Sequence, residues 1–334
     1  MPRPRSLLCV LTPLEIQEFL PGPMLDELRA QADAFHLLDP SALDAEGLAR
    51  ELAARNPEVL VACWKCPTLP AALPPALRYV CYLSGSVKRL LTRAHLERGL
   101  LVTNWGNSIS RVVAECGLLL ALAALRRANH WALAMHRGGA WKVRETRFES
   151  LFQRRVGLHG FGAIAQEMVR LLRPFDVTIA TFSPSVPDTL LAQHGVTRAA
   201  SLEDLFSQND VIIELAALTP ANRHLVGARL LRLIPEGGVF VNIGRGAVTD
   251  EAAIARLAQE GRLHFGIDVF ETEPLPLDHP FRGQPNIALL PHLGGPTTDR
   301  RRDAGALALA NLRAYGAGLP LDSVITPTVY DRST

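Results

Sequence analysis

The sequence predicts an α/β protein built from parallel sheets that are covered by helices on both faces. Short apolar runs alternate with amphipathic stretches of helical period, which is the pattern of strand–helix–strand units. This alternation stops once, near residues 129–152, and then starts again. At 334 residues the chain also exceeds the length at which one hydrophobic core usually keeps growing, so we expect two domains.

The first alternation, over residues 6–104, predicts a small doubly wound domain. Helices between consecutive strands imply right-handed crossovers and therefore a parallel sheet. The predicted strands are Leu7–Leu11, Phe35–Leu38, Val59–Cys63, Leu77–Tyr82 and Leu100–Thr103, and the predicted helices include Met24–Ala32 and Leu43–Arg55.

A long helix is expected over residues 110–128, followed by an arm or linker over residues 129–152. Beyond it six strands with intervening helices fit a doubly wound nucleotide domain. The predicted strands are Val156–His159, Val177–Phe182, Val211–Leu215, Val239–Ile243, His264–Val269 and Ile287–Leu290. A last helix over residues 299–314 is too little for a domain of its own, and we expect it to pack on the first one.

Composition excludes several classes of partner. The formal charge is +2 and the arginines are scattered, so we expect no nucleic-acid surface. The longest apolar run, Val112–Leu125, is too short to cross a membrane. Five cysteines, an odd number, favour a reducing compartment, and no export pattern is seen at the N-terminus, so a cytoplasmic protein is expected. Cys63 and Cys66 lack a second ligand pair, so no metal is expected.

A glycine-rich loop follows the first strand of the second alternation and opens a helix. Gly160 permits a tight turn, and Gly162 lets backbone approach a pyrophosphate. The helix that starts at Ala163 and Ile164 offers unpaired N–H groups to phosphate. The loop predicts dinucleotide binding, and a tight turn without ligand is the alternative.

The usual carboxylate for the adenosine ribose is missing from this domain. The second strand ends at Ser183, and no arginine sits beside it to attract a 2′-phosphate. The cofactor is therefore expected to be NAD or NADP, without a choice between them.

Four polar residues follow strand ends in the second half of the chain. Arg245 lies between glycines, where its planar guanidinium can bind a carboxylate with two hydrogen bonds. Asp268 lies within a strand-like run, Glu273 follows it, and His292 precedes two glycines. Each of them alone is most often a surface, capping or turn residue. Downstream of a nucleotide loop, their combination predicts the joint transfer of a hydride and a proton.

These segments, together with the nucleotide loop, resemble the D-isomer-specific 2-hydroxyacid dehydrogenase family. The matching motifs are residues 241–247, 268–274, 291–295 and 157–162, and the resemblance extends to residues 98–104 and to Ala114-Glu115. It implies a flavodoxin-like substrate domain, residues 1–104 plus 296–334, into which a Rossmann nucleotide domain, residues 105–295, is inserted. It also implies a homodimer.

The resemblance assigns roles to individual residues. His292, Glu273 and Arg245 are implied as catalytic: His292 as the proton donor or acceptor, Glu273 as the partner that orients its ring, and Arg245 as the substrate anchor. Asp268 is implied to tune the cofactor site. The substrate carboxylate is implied to meet N–H groups of the loop that holds Ser84, Gly85 and Ser86, although Ser86 replaces the family's usual glycine. Trp64 is expected in the core or at the cleft entrance.

The expected activity is hydride transfer between NAD(P)H and a 2-keto acid, giving a D-2-hydroxy acid. A nucleotide-sensing binding protein or corepressor of the same fold is one alternative. A dehydrogenase of another anion, such as phosphite, is the other. The acid–base residues favour chemistry over sensing.

Overall fold

The computed structural model describes residues 3–332, and these fall into two compact units. One unit contains the described residues up to Ile109 and again from Pro296 onward, and the other contains Ser110–Gly295. The chain therefore leaves the first unit and returns to it.

The first unit holds a five-stranded parallel sheet. Its strand order is β2-β1-β3-β4-β5. The strands are β1 Ser6–Val10, β2 Ala34–Leu38, β3 Val59–Ala62, β4 Tyr79–Tyr82 and β5 Leu101–Thr103. The helices are α1 Pro13–Phe19, α2 Met24–Arg29, α3 Ala45–Arg55 and α4 Arg93–Glu97, with α12 Arg301–Gly316 and α13 Pro327–Arg332 from the returning segment.

Two apolar clusters cover the two faces of this sheet. On β1, Leu7 packs into one cluster and Leu8 into the other, because successive side chains of a strand point to opposite faces. The face of Leu7 is covered by α12 through Leu309 and Leu312, and the face of Leu8 by α3. Both faces are buried, as the continuous apolar strands predict.

The second unit holds a seven-stranded parallel sheet in the order β12-β11-β10-β9-β6-β7-β8. The strands are β6 Arg155–His159, β7 Thr178–Phe182, β8 Thr197–Arg198, β9 Val211–Glu214, β10 Val239–Asn242, β11 His264–Ile267 and β12 Ile287–Leu289. The helices are α5 Ser110–Leu125, α6 Ala128–Gly138, α7 Ala163–Leu172, α8 Asp188–His194, α9 Leu202–Gln208, α10 Ala228–Leu231 and α11 Glu251–Gln259.

The strand order reverses beside β6, which has β7 on one side and β9 on the other. In open parallel sheets of this kind, ligands bind outside the carboxyl ends of the strands at such a switch point. The loops that follow β6, β9, β10 and β11 therefore form the expected ligand edge of this unit.

The structure confirms the predicted α/β class and corrects some elements. The second sheet has seven strands instead of six, because β8 has two exposed residues and no apolar run to reveal it. Residues 128–138 form α6 within the segment expected to be an arm, although none of its residues is buried. Within residues 3–332 no helix is long and apolar enough to cross a membrane.

Candidate active site

Asp268 directly follows β11, and its carboxylate organises the segment that carries His292. Its Oδ1 accepts the N–H of Leu293 at 2.7 Å, and its Oδ2 accepts the N–H of Gly294 at 2.8 Å. A Cβ at Gly294 would lie 2.7 Å from that Oδ2, so a side chain at this position would displace the carboxylate. Burial raises the pKa of Asp268, while the two N–H donors act in the opposite direction. Asp268 therefore acts on the site through the loop that it holds.

The histidine segment has an unusual backbone. His292 has φ +55°, a left-handed conformation that costs energy for a residue with a Cβ. Its N–H donates to the main-chain oxygen of Asp268 at 2.9 Å. This bond and the two bonds to the Asp268 carboxylate hold the residue in place.

Glu273 bridges the histidine ring and the main chain. Its Oε2 lies 2.7 Å from Nδ1 of His292, and its Oε1 accepts the N–H of Phe270 at 3.0 Å. A carboxylate beside Nδ1 fixes the proton on that nitrogen and orients the ring. Nε2 is then the ring nitrogen that is left to meet a ligand. The side chains are 45% and 36% exposed, so the pair is accessible.

Arg245 follows β10 and lies close to the glutamate segment. Its Nη1 donates to the carbonyl of Gly244 at 2.7 Å. A Cβ at Gly246 would lie 1.9 Å from the carbonyl carbon of Phe270, so the arginine loop packs directly against the main chain that leads to Glu273. Burial lowers the pKa of Arg245 and the charge of Glu273 opposes this, but a guanidinium stays charged in proteins. A cation is thus held beside an oriented histidine–carboxylate pair.

A cavity of about 710 Å³ borders this pair. Glu273 and His292 line it together with apolar side chains such as Leu275, Leu289 and Leu290. Low polarity next to the pair strengthens electrostatic interactions with a bound anion.

The glycine-rich loop lies between β6 and α7. Gly160 has φ +94°, and a Cβ there would lie 3.1 Å from the backbone nitrogen of Ala216. At Gly162 a Cβ would meet no atom within 4 Å, so the space above the loop is open. No side chain caps α7, whose first residues are Ala163 and Ile164. The N–H groups of this first turn are available to a phosphate, so these residues fit a dinucleotide.

The structure corrects the expectation about Ser183. Arg198, from the short strand β8, donates through Nη1 to the carbonyl of Ser183 at 2.9 Å, and it pairs with Asp188 at 2.6 Å. An arginine therefore does lie beside Ser183. The sequence concealed it because it is fifteen residues away in a strand with no apolar pattern.

The loop with Ser84, Gly85 and Ser86 belongs to the other unit. It follows β4, and the carbonyl of Gly85 accepts the side-chain amide of Asn104 at 2.8 Å. Trp105 packs so closely that a Cβ on Gly85 would lie 2.7 Å from its indole ring. Among the described residues, none accepts a hydrogen bond from the N–H groups of Gly85 and Ser86.

Trp64 lies in the same unit and is half-exposed. Its ring makes edge contacts with Phe19 and Trp105, and the guanidinium of Arg301 lies 4.9 Å from its centroid. The residue is therefore only partly in the core, and one part of its ring faces solvent.

Sequence reasoning missed one pair of polar residues in the second unit. His159, the last residue of β6, and Glu214, the last residue of β9, are register partners, and Nδ1 lies 2.5 Å from Oε2. Both side chains are buried. The signal in the sequence was a histidine and a glutamate, 55 residues apart, each at the end of an apolar run. These two residues become informative only once the two strands are known to pair.

A doubly wound sheet with a glycine loop at its switch point, together with a cation and a histidine–carboxylate pair, defines a nucleotide-dependent oxidoreductase. A profile of the D-isomer specific 2-hydroxyacid dehydrogenase NAD binding domain matches residues 118–294. The chain belongs to this family.

The relatives agree with this membership. Hydroxyphenylpyruvate reductase from Plectranthus scutellarioides is 35% identical over 236 residues, 70% of this chain and 72% of that one. Glyoxylate reductase/hydroxypyruvate reductase from Homo sapiens is 30% identical over 250 residues, 74% and 76% of the two chains. The structure of an NADPH-dependent glyoxylate/hydroxypyruvate reductase from Sinorhizobium meliloti matches with a TM-score of 0.75 and 25% identity, covering 97% and 99%.

The protein is therefore an oxidoreductase that uses NAD or NADP and interconverts small 2-keto acids and D-2-hydroxy acids. The predicted family, enzyme class and cofactor are confirmed. These relatives do not favour a nucleotide sensor or a dehydrogenase of another anion.

Proposed function

We propose that His292 transfers the proton at the substrate oxygen and that Glu273 orients and stabilises its charged form. The observation that carries this proposal is the 2.7 Å contact at Nδ1, which leaves Nε2 for the substrate. When a keto acid is reduced, negative charge develops on its oxygen, and an imidazolium within hydrogen-bond reach neutralises it. In the reverse direction the neutral ring accepts the proton of the hydroxy acid.

Arg245 is the proposed anchor of the substrate carboxylate. Its half-buried guanidinium is a planar cation with several donors, and the arginine loop that carries it packs against the main chain beside Phe270. We further propose that Ser84, Gly85 and Ser86 bind the substrate, a role supported by the N–H groups of Gly85 and Ser86, for which no described residue is the acceptor.

For the cofactor we propose that Gly160, Gly162, Ala163 and Ile164 hold the pyrophosphate, while Ser183 faces the adenosine ribose. The bound nicotinamide supplies or accepts the hydride. Asp268 serves the cofactor side indirectly, by holding the His292 segment in place. In this proposal residues 105–295 form the nucleotide domain, and residues 1–104 with 296–334 form the substrate domain.

A substrate panel tests the reaction class. Glyoxylate, hydroxypyruvate, 4-hydroxyphenylpyruvate and 4-methyl-2-oxopentanoate would each be assayed with NADH and with NADPH. We expect turnover of at least one of them and none of the matching methyl ketone, which lacks the carboxylate for Arg245. Oxidation of phosphite with NAD⁺ in place of keto-acid reduction would contradict the proposal.

Substitutions at Arg245 test the anchor. We expect Arg245→Ala to lower kcat/KM by about a hundredfold, and Arg245→Lys to restore little of it because an ammonium lacks the planar fork. NADH binding, followed by fluorescence, should be unchanged in both variants. An unaltered KM and kcat in Arg245→Ala would contradict the assignment.

We also propose a cytoplasmic homodimer. Trp141, Val143, Phe148 and Met135, on α6 and the segment after it, are large apolar side chains exposed to solvent, and a second copy would cover them. All five cysteines are free thiols, as in reducing compartments. Light scattering should give twice the chain mass, and Trp141→Ser should shift it toward the monomer. A monomeric mass for the unaltered chain would contradict the dimer.

A further inference from the structure

The buried His159–Glu214 pair lies at the edge of the sheet where the nucleotide loop begins. His159 is 7% exposed and Glu214 is 0% exposed, yet neither residue belongs to the catalytic group around His292. Burying an ion pair is costly unless its geometry is good and the remaining polar atoms are satisfied. The cost of burying this pair therefore indicates that the pair has a role in the structure or in ligand binding.

Hydrogen bonds connect this pair to both segments that flank the glycine turn. Glu214 uses Oε2 for His159 and Oε1 to accept the N–H of Ala216 at 2.8 Å. The carbonyl of His159 accepts the N–H of Leu215 at 2.9 Å. The pair thus fixes the end of β9 against the end of β6.

The glycine turn rests on this same strand end. A Cβ on Gly160 would lie 3.1 Å from both the nitrogen and Cα of Ala216, so the turn and residues 215–216 are in direct contact. A shift of the β9 end would displace the turn that presents Gly162 and the first N–H groups of α7. The pair is placed to control the geometry of the nucleotide loop.

Among the described residues of β7, β9 and α9, which pack on β6, Glu214 is the charged group that acts on His159. On β7 the register partner is Phe182, with ring centroids 6.4 Å apart, and β7 carries no titratable side chain. The acids of α9, Glu203 and Asp204, are bound to Arg229 and Ser201. The charge state of the pair is therefore set by one proton on His159.

We propose that His159 and Glu214 form a proton-dependent brace for the nucleotide loop. The imidazolium form leaves no net charge beneath the bound pyrophosphate and keeps the β9 end in place. Loss of the proton leaves the negative charge of Glu214 buried beneath an anionic ligand, and dinucleotide binding weakens. This inference rests on the proposed assignment of the glycine turn as the nucleotide loop.

The direction of the pKa supports the brace. Burial lowers the pKa of His159, but the charge of Glu214 and the hydrogen bond outweigh burial and raise it overall. The ring of His159 therefore keeps its proton to a higher pH than a free histidine does, and the charged pair is lost as pH rises through this raised pKa. ADP-ribose is a suitable probe, because it carries the pyrophosphate and lacks the nicotinamide that would report on His292.

The test is calorimetric titration of the full chain with ADP-ribose from neutral to alkaline pH. We expect the Kd to rise by about tenfold across this range, as one uncompensated charge in a low dielectric implies. In Glu214→Gln, which keeps the shape and removes the anion, the Kd should stay flat. The His159→Leu/Glu214→Leu double variant, with an apolar pair of similar volume, should also give a flat profile.

Two controls separate this inference from the assignments on which it rests. His292→Asn should keep the alkaline rise, whereas its loss would assign the rise to the catalytic histidine. Gly162→Val should abolish binding, since its side chain occupies space that is open in the unaltered loop. Normal binding by Gly162→Val would overturn the loop assignment itself. A flat profile for the unaltered chain, or an unchanged rise in Glu214→Gln, would overturn only the brace.

Discussion

Two of the histidine–glutamate pairs in the second unit share the same kind of contact and differ mainly in their exposure. In each, Nδ1 of the ring faces a carboxylate, at 2.7 Å for His292–Glu273 and at 2.5 Å for His159–Glu214. The first pair is 45% and 36% exposed, and the second is 7% and 0% exposed. The contact is therefore the same, and the environments are not.

The difference in exposure determines which role each pair is able to have. An exposed ring can pass its proton to a ligand at Nε2, and its carboxylate needs only to orient it. A buried ring is shielded from substrate, but its ion pair is weakly screened and strongly tied to the surrounding backbone. Burial thus separates a pair suited to chemistry from a pair suited to positioning.

The largest expected effect comes from breaking the buried pair. His159→Ala leaves the Glu214 carboxylate buried without its partner, which typically costs about 3–5 kcal/mol of unfolding free energy. The denaturant midpoint of the unit should fall accordingly. The His159→Leu/Glu214→Leu double variant should unfold near the midpoint of the unaltered chain. A midpoint for His159→Ala equal to that of the double variant would show that the pair carries no such coupling.

Breaking the exposed pair should affect rate instead of stability. His292→Ala removes the proton donor, and we expect kcat to fall by about a hundredfold or more, a typical contribution of general acid–base catalysis. NADH binding and the thermal melt should persist, because the side chain is accessible and its loop is held by Asp268. Turnover close to normal would rule out His292 as the proton donor.

The two pairs differ in how far the sequence predicts them, because one lies in local motifs and the other depends on which strands pair. Glu273 and His292 sit in short motifs with glycines and a proline, so local chemistry marked them before any fold was known. His159 and Glu214 are joined only by strand register, at the ends of two apolar runs. A period of apolar residues predicts that strands exist, but it does not tell which strands are neighbours.

The same limit explains the corrected elements. The two residues of β8 bury nothing that a pattern could reveal, and with β8 the sequence also concealed the contact of Arg198 with Ser183. The long buried strands and the glycine turn were predictable, because each has a strong local signal. Contacts between surface residues that are far apart in sequence could not be predicted, because they form only once the strands are ordered in the sheet.

The pH dependence of stability should distinguish the pairs further. The pKa of His159 is raised in the folded chain, so its stabilising contribution is complete below the usual histidine pKa. The contribution is lost as pH rises through the raised folded pKa. The melting temperature should therefore fall as pH rises into the alkaline range, and this fall should be smaller than the one that His159→Ala causes. The His159→Leu/Glu214→Leu variant should lack the part of this fall that comes from His159. If the melting temperature of both proteins depended on pH in the same way, the contribution of the pair would be contradicted.

The smallest expected effect is on the stability of the exposed pair. Glu273→Ala should change the unfolding free energy by about 1 kcal/mol or less, since accessible ion pairs contribute little against solvent screening and side-chain ordering. Asp268→Ala is the matched comparison, because that buried carboxylate satisfies two N–H groups and its loss should cost more. If Glu273→Ala destabilised the chain as much as His159→Ala, exposure would not be what separates the two pairs. Chemical denaturation of the three variants measures these differences in stability. If Glu273→Ala lowered kcat without lowering the denaturation midpoint, the Glu273 carboxylate would act in catalysis alone.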